Sequence, residues 1–521
     1  MATTYAAPPD VIPPAPREPT AVARLRPVLP ADGLWGWLGP LAVTLVAAYL
    51  RFYRLSVPNT GPPPCPAPRQ CVFDEVYYVK DSYDLLRYGV ERNAEGNGPG
   101  FIVHPPLGKW LIAVGQGVFG HNSLGWRVAA ALVGSLAVLV LARTARRLTR
   151  STLLGCLAGL LLALDGLAFV QSRTGMLDIF LMFWVLAAFA CLVVDRDVGR
   201  ARLAALLEGG AGPDRLRLGV RWWRLAAGLC LGAACATKWS AVPYVAAFGL
   251  LAFAWDVGAR RTAGAETPVR TAARADLLPA GLALLALPAL VYVLSWTGWF
   301  LGDATTAWDH DRYVRGGQGA LGHAQAVFGG WLHYQWNIWH TSIGLSTRHP
   351  YQSSPWGWLL LARPVLYYAV YPKGGELGCT TSGGCAQVIL SIGTPAIWWA
   401  TLPATVAVGW RWLSRRDWRA GAVLAGVGAG LLPWFATPER TMFFFYALPA
   451  LPFLILGLAL CAGWVLGPAD ADSTRRLRGA VVVGAFTLLV VVNFFYLYPV
   501  LSAEVIPYVD WRARMWLPSW I

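Results

Sequence analysis

Long apolar runs alternate with short polar segments along most of the chain. A helix needs about 20 apolar residues to cross a bilayer, and helices satisfy their backbone hydrogen bonds internally there. Eleven runs approach this length, so the pattern predicts an all-α polytopic membrane protein. The predicted helices cover residues 34–50, 126–142, 152–169, 178–194, 222–238, 240–256, 277–300, 391–410, 420–436, 443–466 and 479–501.

Composition supports the membrane class. Of the 521 residues, 56% are hydrophobic and 14% are charged, and the mean hydropathy is +0.47. Soluble domains average about 45–50% apolar and about 25% charged residues. Residues 1–33 differ from the rest: they are rich in Pro and Ala and lack the apolar core of a signal peptide. We therefore expect a disordered cytoplasmic tail at 1–33 and a single membrane domain at 34–521.

The basic residues predict an orientation. They concentrate in short segments between the predicted helices, at 143–150, 215–224, 260–274, 411–419 and 475–478. Short basic loops stay in the cytoplasm, so the N-terminus is predicted to be cytoplasmic and the C-terminus extracytoplasmic, in the plasma membrane. The net charge of +15 then reflects topology and contact with anionic membrane lipids, and it implies no nucleic-acid partner.

This topology sends two long loops outside, at residues 51–125 and 301–390. Four of the nine cysteines fall in these loops as two pairs of equal spacing. The outside is oxidising, so two short disulfides are expected, with free thiols as the alternative because sequence does not reveal connectivity. The pairs are Cys65 with Cys71 and Cys379 with Cys385.

The first outer loop contains two adjacent carboxylates, Asp74 and Glu75, in the stretch CVFDEVYYVKD. Apolar residues recur at helical spacing as far as Val90, which predicts an amphipathic helix at the membrane interface with Asp74 at its N-terminus. Asp74 could be only a helix cap. A catalytic role is compatible with capping, because backbone donors keep a carboxylate ionised and a general base must be ionised.

Further polar groups fall at the same predicted outer face. Each cation alone could be an anchor whose charge reaches the lipid head groups. Together they predict a site for an anionic head group, since ionisable residues at membrane depth are costly and usually functional. The set comprises His104, Lys109, Arg127, Asp165, Gln171, Arg173, Asp178, Lys238 and Arg440.

Five motifs occur in a fixed order: FDE, HPPLGKW, WRVAAALVG, LDGLAFVQSRTGMLD and TKWS. In this order the chain resembles the protein O-mannosyltransferases, membrane enzymes of the GT-C class, and most of all their actinobacterial members, over residues 34–520. The resemblance implies a GT-C fold, catalysis by the acidic pair, polyprenyl-phosphate mannose as donor and a Ser or Thr of a secreted protein as acceptor. Eukaryotic relatives insert an MIR region after helix seven, for which the loop 301–390 is too short.

Resemblance and residue chemistry together predict an inverting reaction. Asp74 is the predicted base, because a hydroxyl must lose its proton as the sugar bond forms, and Glu75 would orient the acceptor or its supporting groups. Fixed cations would stabilise the phosphate leaving group. The predicted phosphate ligands are Arg127 and Lys238, then Arg173 and His104, and the further substrate-binding candidates are Lys109, Asp178, Gln171 and Arg440.

The second outer loop is rich in Trp, Tyr and His, notably at 331–345. This piece is predicted to lie in the membrane interface as an anchor, with stacking on a sugar or peptide as the alternative. No cofactor is predicted, and a divalent metal has no support beyond one carboxylate pair. Four histidines are too irregularly spaced for a metal site. They are His310, His323, His333 and His340.

Two other functions remain open from sequence. Another polyprenyl-phosphate sugar transferase, adding arabinose or an aminosugar to a glycolipid, would share this architecture. A secondary transporter would instead need ionisable groups near the middle of the bilayer and broken helices in paired repeats, and neither is evident. The Sec translocon could present unfolded acceptor chains to the enzyme.

Overall fold

The computed structural model describes residues 20–63, 65, 70–93, 100, 103–302, 319–468 and 470–521. Within these residues α-helices dominate. The first nine helices are α1 Ala21–Leu25, α2 Leu34–Phe52, α3 Glu75–Tyr88, α4 Leu107–Phe119, α5 Ser123–Thr149, α6 Thr152–Ala163, α7 Gly166–Gln171, α8 Asp178–Glu208 and α9 Trp222–Cys235. The others are α10 Val242–Thr262, α11 Pro268–Gly281, α12 Leu287–Ser295, α13 Thr297–Leu301, α14 Gly319–Gly344, α15 Pro395–Arg415, α16 Trp418–Leu431, α17 Leu451–Leu466, α18 Ser473–Leu501 and α19 Tyr508–Ala513.

Each of the eleven predicted segments contains a helix. Eight helical segments of the described chain are long and apolar enough to cross a membrane. One of them, Pro268–Ser295, joins α11 to α12 through a π-helical turn. The three predicted segments outside these eight correspond to α6, α9 and α15. The multi-pass membrane class is therefore confirmed, and the count of eleven spans stays a prediction.

The long helices run alternately in opposite directions, so their ends gather at two faces of the bundle. At one face α2 ends and α5 and α8 begin, and Arg173 donates to the backbone carbonyls of Leu50, Arg51 and Tyr53 there. We call this face the site end, because Asp74 lies there. The basic segments lie at the opposite end. Which end faces the cytoplasm stays a prediction.

The predicted helix over 152–169 is divided. It stops at Ala163 and restarts as α7, because the Asp165 carboxylate caps the new helix by accepting from the Ala168 amide at 2.9 Å. Asp165 also accepts from the Trp398 indole at 2.7 Å and from the Thr394 amide at 3.2 Å. This side chain joins α7 to the start of α15.

A small antiparallel sheet, which the all-α prediction omits, lies between the helices. Its order is β1 Val365–Val370, β2 Cys385–Ser391, β3 Val505–Pro507. The strand β2 occupies the start of the predicted helix 391–410, which begins only at Pro395. Disulfides join Cys65 to Cys71 and Cys379 to Cys385, with Cα atoms 5.4 and 5.7 Å apart.

The predicted tail is structured where it is described. Residues 1–19 lie outside the described residues, but α1 follows at Ala21, and Leu25 is fully buried against Leu203 and Ala204 of α8. Asp32 accepts hydrogen bonds from Arg143 at 2.9 Å and from Arg146 at 3.1 Å. The expectation of disorder therefore does not hold for residues 20–33, because apolar burial and ion pairs fix them.

Candidate active site

Asp74 stands at the N-terminus of α3 without capping it. Its backbone is helical (φ −71°, ψ 0°), and its carboxylate accepts no hydrogen bond from the first turn of the helix. Its partner is the Tyr78 hydroxyl, one helical turn further on, which donates to Oδ2 at 3.5 Å. The predicted helix is confirmed, and the reading of Asp74 as a helix cap is wrong.

The electrostatic surroundings of Asp74 also differ from the expectation. We expected capping donors to hold the carboxylate ionised, but burial raises its pKa to about 6. The charge of Lys238 opposes this shift and that of Asp178 adds to it. Asp74 therefore lies close enough to the Asp178–Lys238 pair to sense both charges, and its pKa lies near the range that suits a general base at neutral pH.

The backbone just before Asp74 is strained. Phe73 has φ 38°, in the left-handed region that bulky side chains rarely adopt. Two contacts with Tyr367 hold it there: the Phe73 amide donates to the Tyr367 carbonyl at 2.9 Å, and the two rings stack at 4.8 Å. The edges of Phe443 and Phe445 pack on the same ring. Strain of this kind persists only where packing enforces it, and it is frequent at active sites.

Glu75 faces away from solvent, into a bidentate ion pair with Arg127. Nε and Nη2 of Arg127 donate to the two Glu75 oxygens at 2.8 and 2.9 Å. The Gly175 amide also donates to Oε1 at 2.7 Å, while Nη1 of Arg127 donates to the carbonyls of Leu55 and Pro58. These contacts occupy the donors of Arg127, so the predicted assignment of Arg127 to the donor phosphate finds no support.

Three further predicted substrate ligands are engaged within the protein. The donors of Arg173 are directed to the carbonyls at the end of α2. Lys109 is buried between Asp81, at 2.8 Å, and Glu91, at 3.3 Å. Gln171 donates to the Tyr367 hydroxyl at 2.6 Å. These contacts hold Arg173 and Lys109 within the protein and support structural roles for both, whereas Oε1 of Gln171 is buried without a hydrogen-bond partner among the described residues.

The remaining predicted residues line one cavity at the site end, of about 350 Å³. Lys238 donates to both oxygens of Asp178, at 3.0 and 2.9 Å. Arg440 donates to the carbonyls of Ser342 and Thr441 through Nε and Nη1, which leaves Nη2 without a partner in the described part of the chain. The polar part of the wall comprises His104, Asp178, Lys238, Ser240, Ser342, Thr437 and Arg440.

His104 differs from its cationic neighbours. Burial and the charges of Lys238, Lys109 and Arg440 hold its pKa well below the usual range for histidine. A neutral imidazole offers one N–H donor and one acceptor. The ring lies 5.9 Å from that of Tyr78, the partner of Asp74. His104 thus connects the cavity with the surroundings of Asp74.

The sequence prediction missed two tyrosines. Tyr446 lines the cavity, with its ring centroid 5.6 Å from the Lys238 ammonium and 5.3 Å from the Arg440 guanidinium. It comes from the run FFFY, which reads as an ordinary apolar span. Tyr78 was detectable, because it stands four residues after Asp74, and side chains at that spacing share a helix face.

No group of three or more His, Cys, Asp and Glu side chains suited to a metal ion occurs in the described ranges. His323, His333 and His340 lie along α14, while His310 falls outside the described residues. The helix α14 includes most of the predicted aromatic anchor at 331–345. The expectation that no metal is required therefore stays a prediction.

Comparison with known proteins covers nearly the whole chain. A family model described as dolichyl-phosphate-mannose-protein mannosyltransferase matches residues 41–295. A second, described as the C-terminal four-transmembrane region of protein-O-mannosyltransferase, matches residues 327–520. The polyprenol-phosphate-mannose–protein mannosyltransferase of Mycobacterium tuberculosis is 42% identical over 503 residues, which cover 94% of this chain and 93% of that one.

Two further similarities bear on the fold and on the alternatives. The S. cerevisiae protein O-mannosyltransferase Pmt1–Pmt2 complex bound to the sugar donor superimposes with a TM-score of 0.70 at 15% identity, over 96% of this chain and 94% of that one. This likeness confirms the GT-C fold. An undecaprenyl phosphate aminoarabinose transferase of Pseudomonas paraeruginosa is 33% identical over only 185 residues, 35% of this chain and 32% of that one. The similarity to this alternative class of sugar transferase is therefore weaker than the similarity to the protein mannosyltransferases.

Proposed function

Because the chain belongs to the dolichyl-phosphate-mannose-protein mannosyltransferase family, we propose that it transfers mannose from polyprenyl-phosphate mannose to Ser and Thr hydroxyls of secreted proteins. One observation supports the chemistry most directly. Asp74, a carboxylate without a cation of its own, lies near a cavity whose wall contains Lys238, His104 and Arg440. A base beside a cluster of cations suits the attack of a hydroxyl on a sugar phosphate.

The reaction is a single displacement. The acceptor oxygen forms a bond to the anomeric carbon of mannose while the bond from that carbon to the phosphate oxygen breaks. The hydroxyl proton moves to the Asp74 carboxylate, and the electron pair of the broken bond leaves with the polyprenyl phosphate. Attack on the side opposite to the phosphate inverts the anomeric centre. These steps balance without a cofactor.

The cavity wall offers donors for the phosphate. Lys238 uses two of its three N–H groups on Asp178, so one remains, and Arg440 retains Nη2. The neutral His104 can add an N–H. Charge-assisted hydrogen bonds of this type stabilise a leaving phosphate as its charge grows. We assign these three residues to the donor phosphate, with Arg127 and Arg173 as supports of the surrounding fold.

The other half of the cavity wall is apolar. It includes Val242 and Pro243 at the start of α10, Ile338 and Ile343 of α14, and Pro433. Apolar walls suit the isoprenoid carbons next to the phosphate. The same cavity can therefore hold the junction between the lipid and the head group of the donor.

The proposal is tested with purified enzyme, labelled polyprenyl-phosphate mannose and a Thr-rich peptide. Asp74→Asn keeps the size of the side chain but cannot take the proton, so transfer should fall by roughly 10²- to 10⁴-fold, while binding of the donor persists. Asp510→Asn, on the exposed face of α19, is the matched control and should retain full activity. Near-normal transfer by Asp74→Asn would refute the assignment of the base. Transfer of label to glycolipid but never to peptide would refute the acceptor class.

We further propose that the site end faces the outside of the plasma membrane, where secreted acceptors pass, and that the Sec translocon could deliver them. An impermeant thiol reagent added to intact cells should label Asp510→Cys but not Glu266→Cys. Both positions are exposed acids, at the site end and in the basic segment 260–274 respectively. Labelling of Glu266→Cys alone would reverse the topology.

A further inference from the structure

A second and larger cavity lies at the end of the bundle opposite to Asp74, with a volume of about 1090 Å³. It forms where α5, α15 and α17 end and where α6, α16 and α18 begin. We call it the basic groove. Its wall includes Arg150, Arg411, Arg419, Arg476, Trp464 and Leu477.

The charge of the basic groove is one-sided. Four arginines line it, and its wall contains no carboxylate. Arg419 holds Asp417 in a bidentate pair at 2.9 and 2.7 Å and reaches the Leu148 carbonyl, and the charge of Arg411 also acts on Asp417 without a direct contact. In the described part of the chain no carboxylate pairs with Arg150, Arg411 or Arg476. Three of the four arginines thus lack a direct ion pair, and the basic groove has an excess of positive charge.

Arg411 gives a second, independent sign of a missing partner. Its Nε is buried and has no hydrogen-bond partner among the described residues. Its guanidinium lies 5.3 Å from the centroid of the Trp464 ring, which fixes the side chain in the wall of the basic groove. A buried donor without an acceptor is costly, and in native proteins it calls for a ligand or an ordered solvent molecule.

The rim of the basic groove is apolar. Leu153 and Leu477 lie in the wall with exposed side chains, and Leu154, Leu460 and Leu466 continue the apolar surface inward. An inorganic anion would gain nothing from these leucines, whereas acyl chains would cover them. The groove therefore has the two-part character of a phospholipid site, with arginines for the head group and leucines for the chains.

We propose that the basic groove binds an anionic phospholipid with two phosphate groups, of the diphosphatidylglycerol type. Two phosphodiesters match the excess of three arginines better than one does, and the volume is large enough for both. Basic pockets between membrane helices are known to bind such head groups. The site is distinct from the donor cavity, because α17 separates them: it begins at Leu451, shortly after Tyr446 in the chain, and ends at Leu466, about 24 Å further on at 1.5 Å per residue.

The bound lipid would contact three of the turns that connect consecutive helices. The turns between α5 and α6, between α15 and α16 and between α17 and α18 each contribute arginines or apolar residues to the wall. A ligand that binds only the folded state stabilises that state by mass action. We therefore expect the lipid to raise the thermal stability of the whole bundle.

The test uses the full chain in detergent with four additives: diphosphatidylglycerol, phosphatidylglycerol, phosphatidylcholine and inorganic pyrophosphate. The unfolding temperature should rise most with diphosphatidylglycerol and little with the others. In the Arg411→Gln/Arg476→Gln variant, affinity for diphosphatidylglycerol should fall by about 30-fold, as expected for two lost basic contacts. The matched control is Arg270→Gln/Arg274→Gln, which removes the same charge from exposed positions elsewhere in the basic segments.

Each outcome of this experiment either supports or refutes lipid binding in the basic groove. Loss of the lipid effect in the groove variant alone supports it. An equal loss in both variants would show general attraction to a basic surface, and an equal effect of pyrophosphate would show an anion site without lipid specificity; either result refutes it. Arg476→Gln alone, at an exposed position that should not disturb folding, repeats the measurement if the double variant aggregates, and an unchanged affinity there also counts against the proposal.

Discussion

Arg127 donates hydrogen bonds to both carboxylate oxygens of Glu75, with N···O distances of 2.8 and 2.9 Å. The pair is buried, since Arg127 is 0% and Glu75 is 2% exposed. This pair fixes the first turn of α3, and Asp74 is the residue next to it. The two acids of the DE pair therefore have different environments: Glu75 is paired and structural, while Asp74 remains available near the cavity.

The first prediction concerns this pair. Removing one partner of a buried ion pair leaves the other charge uncompensated, which typically costs about 3–5 kcal/mol. Arg127→Met and Glu75→Gln should each lower the unfolding temperature strongly. The double variant should be more stable than the sum of the two single effects predicts, because it leaves no isolated charge.

Thermal unfolding in detergent measures all four proteins of this cycle. Activity is the second readout: the double variant should remain impaired in transfer, because the Asp74 turn has lost its support. Strictly additive losses of stability would show that the pair has no energetic coupling. Normal stability of Arg127→Met combined with a raised KM for the donor would restore the original assignment of Arg127 to the phosphate.

The second prediction separates Lys109 from substrate binding. Lys109 lies between Asp81 and Glu91, and burial raises the pKa of Glu91. Lys109→Met should destabilise the protein by roughly 3–5 kcal/mol, since two carboxylates lose their cation. The KM for the donor in the folded fraction should stay unchanged. Adding Glu91→Gln should recover part of the stability, and a selective rise in KM without a loss of stability would contradict the structural role.

Sequence reasoning predicted the helices well because their signal is local. Apolar runs of membrane length need no knowledge of their neighbours, and all eleven predicted segments contain helices. The sheet was missed for the opposite reason. Its strand β3 has only three residues, and its partners in β2 lie more than a hundred positions earlier. Short strands depend on long-range pairing, which periodicity in one segment does not reveal.

For the candidate active site, too, local features were predictable from the sequence and long-range contacts were not. Sequence motifs identified the chemical groups, but not which group pairs with which. Arg127 and Lys238 look alike in sequence, as helix-end cations at one face. Their difference lies in tertiary contacts, since Arg127 meets Glu75 from 52 positions away, while Lys238 keeps one donor beside Asp178. Sequence spacing alone could not distinguish these partners.

The third prediction concerns Arg440 as a ligand of the donor phosphate. A hydrogen bond to a charged group is worth about 1.5–3 kcal/mol, so Arg440→Ala should weaken use of the donor by roughly 10- to 150-fold in kcat/KM. Arg440→Lys should recover only part of this, because an ammonium cannot replace the planar fork of a guanidinium. Arg512→Ala, on the exposed side of α19, is the control with the same charge change. Equal activity of the two Ala variants would show that Arg440 serves only the fold.

The last prediction follows from the pKa of Asp74, which burial raises to about 6. A general base works only when ionised, so kcat/KM should fall about tenfold for each pH unit below about 6 and reach a plateau above it. The contribution of Asp74 to the stability of the folded state changes with pH in the opposite direction to kcat/KM. In the unfolded chain an aspartate titrates near about 3.9, so the folded state holds this proton more tightly, and Asp74 favours folding at low pH but loses that contribution as pH rises through about 6.

Asp74→Asn removes this titration. The difference in unfolding temperature between the variant and the parent protein should therefore shift in favour of Asn as the pH rises from about 4 to about 7. Taking the difference cancels the titration of other buried acids, such as Glu91, because both proteins retain them. An acid limb near the ordinary pKa of aspartate, together with a pH-independent difference in stability, would show that Asp74 is exposed and ionised throughout, and it would remove the physical basis for its role as the base.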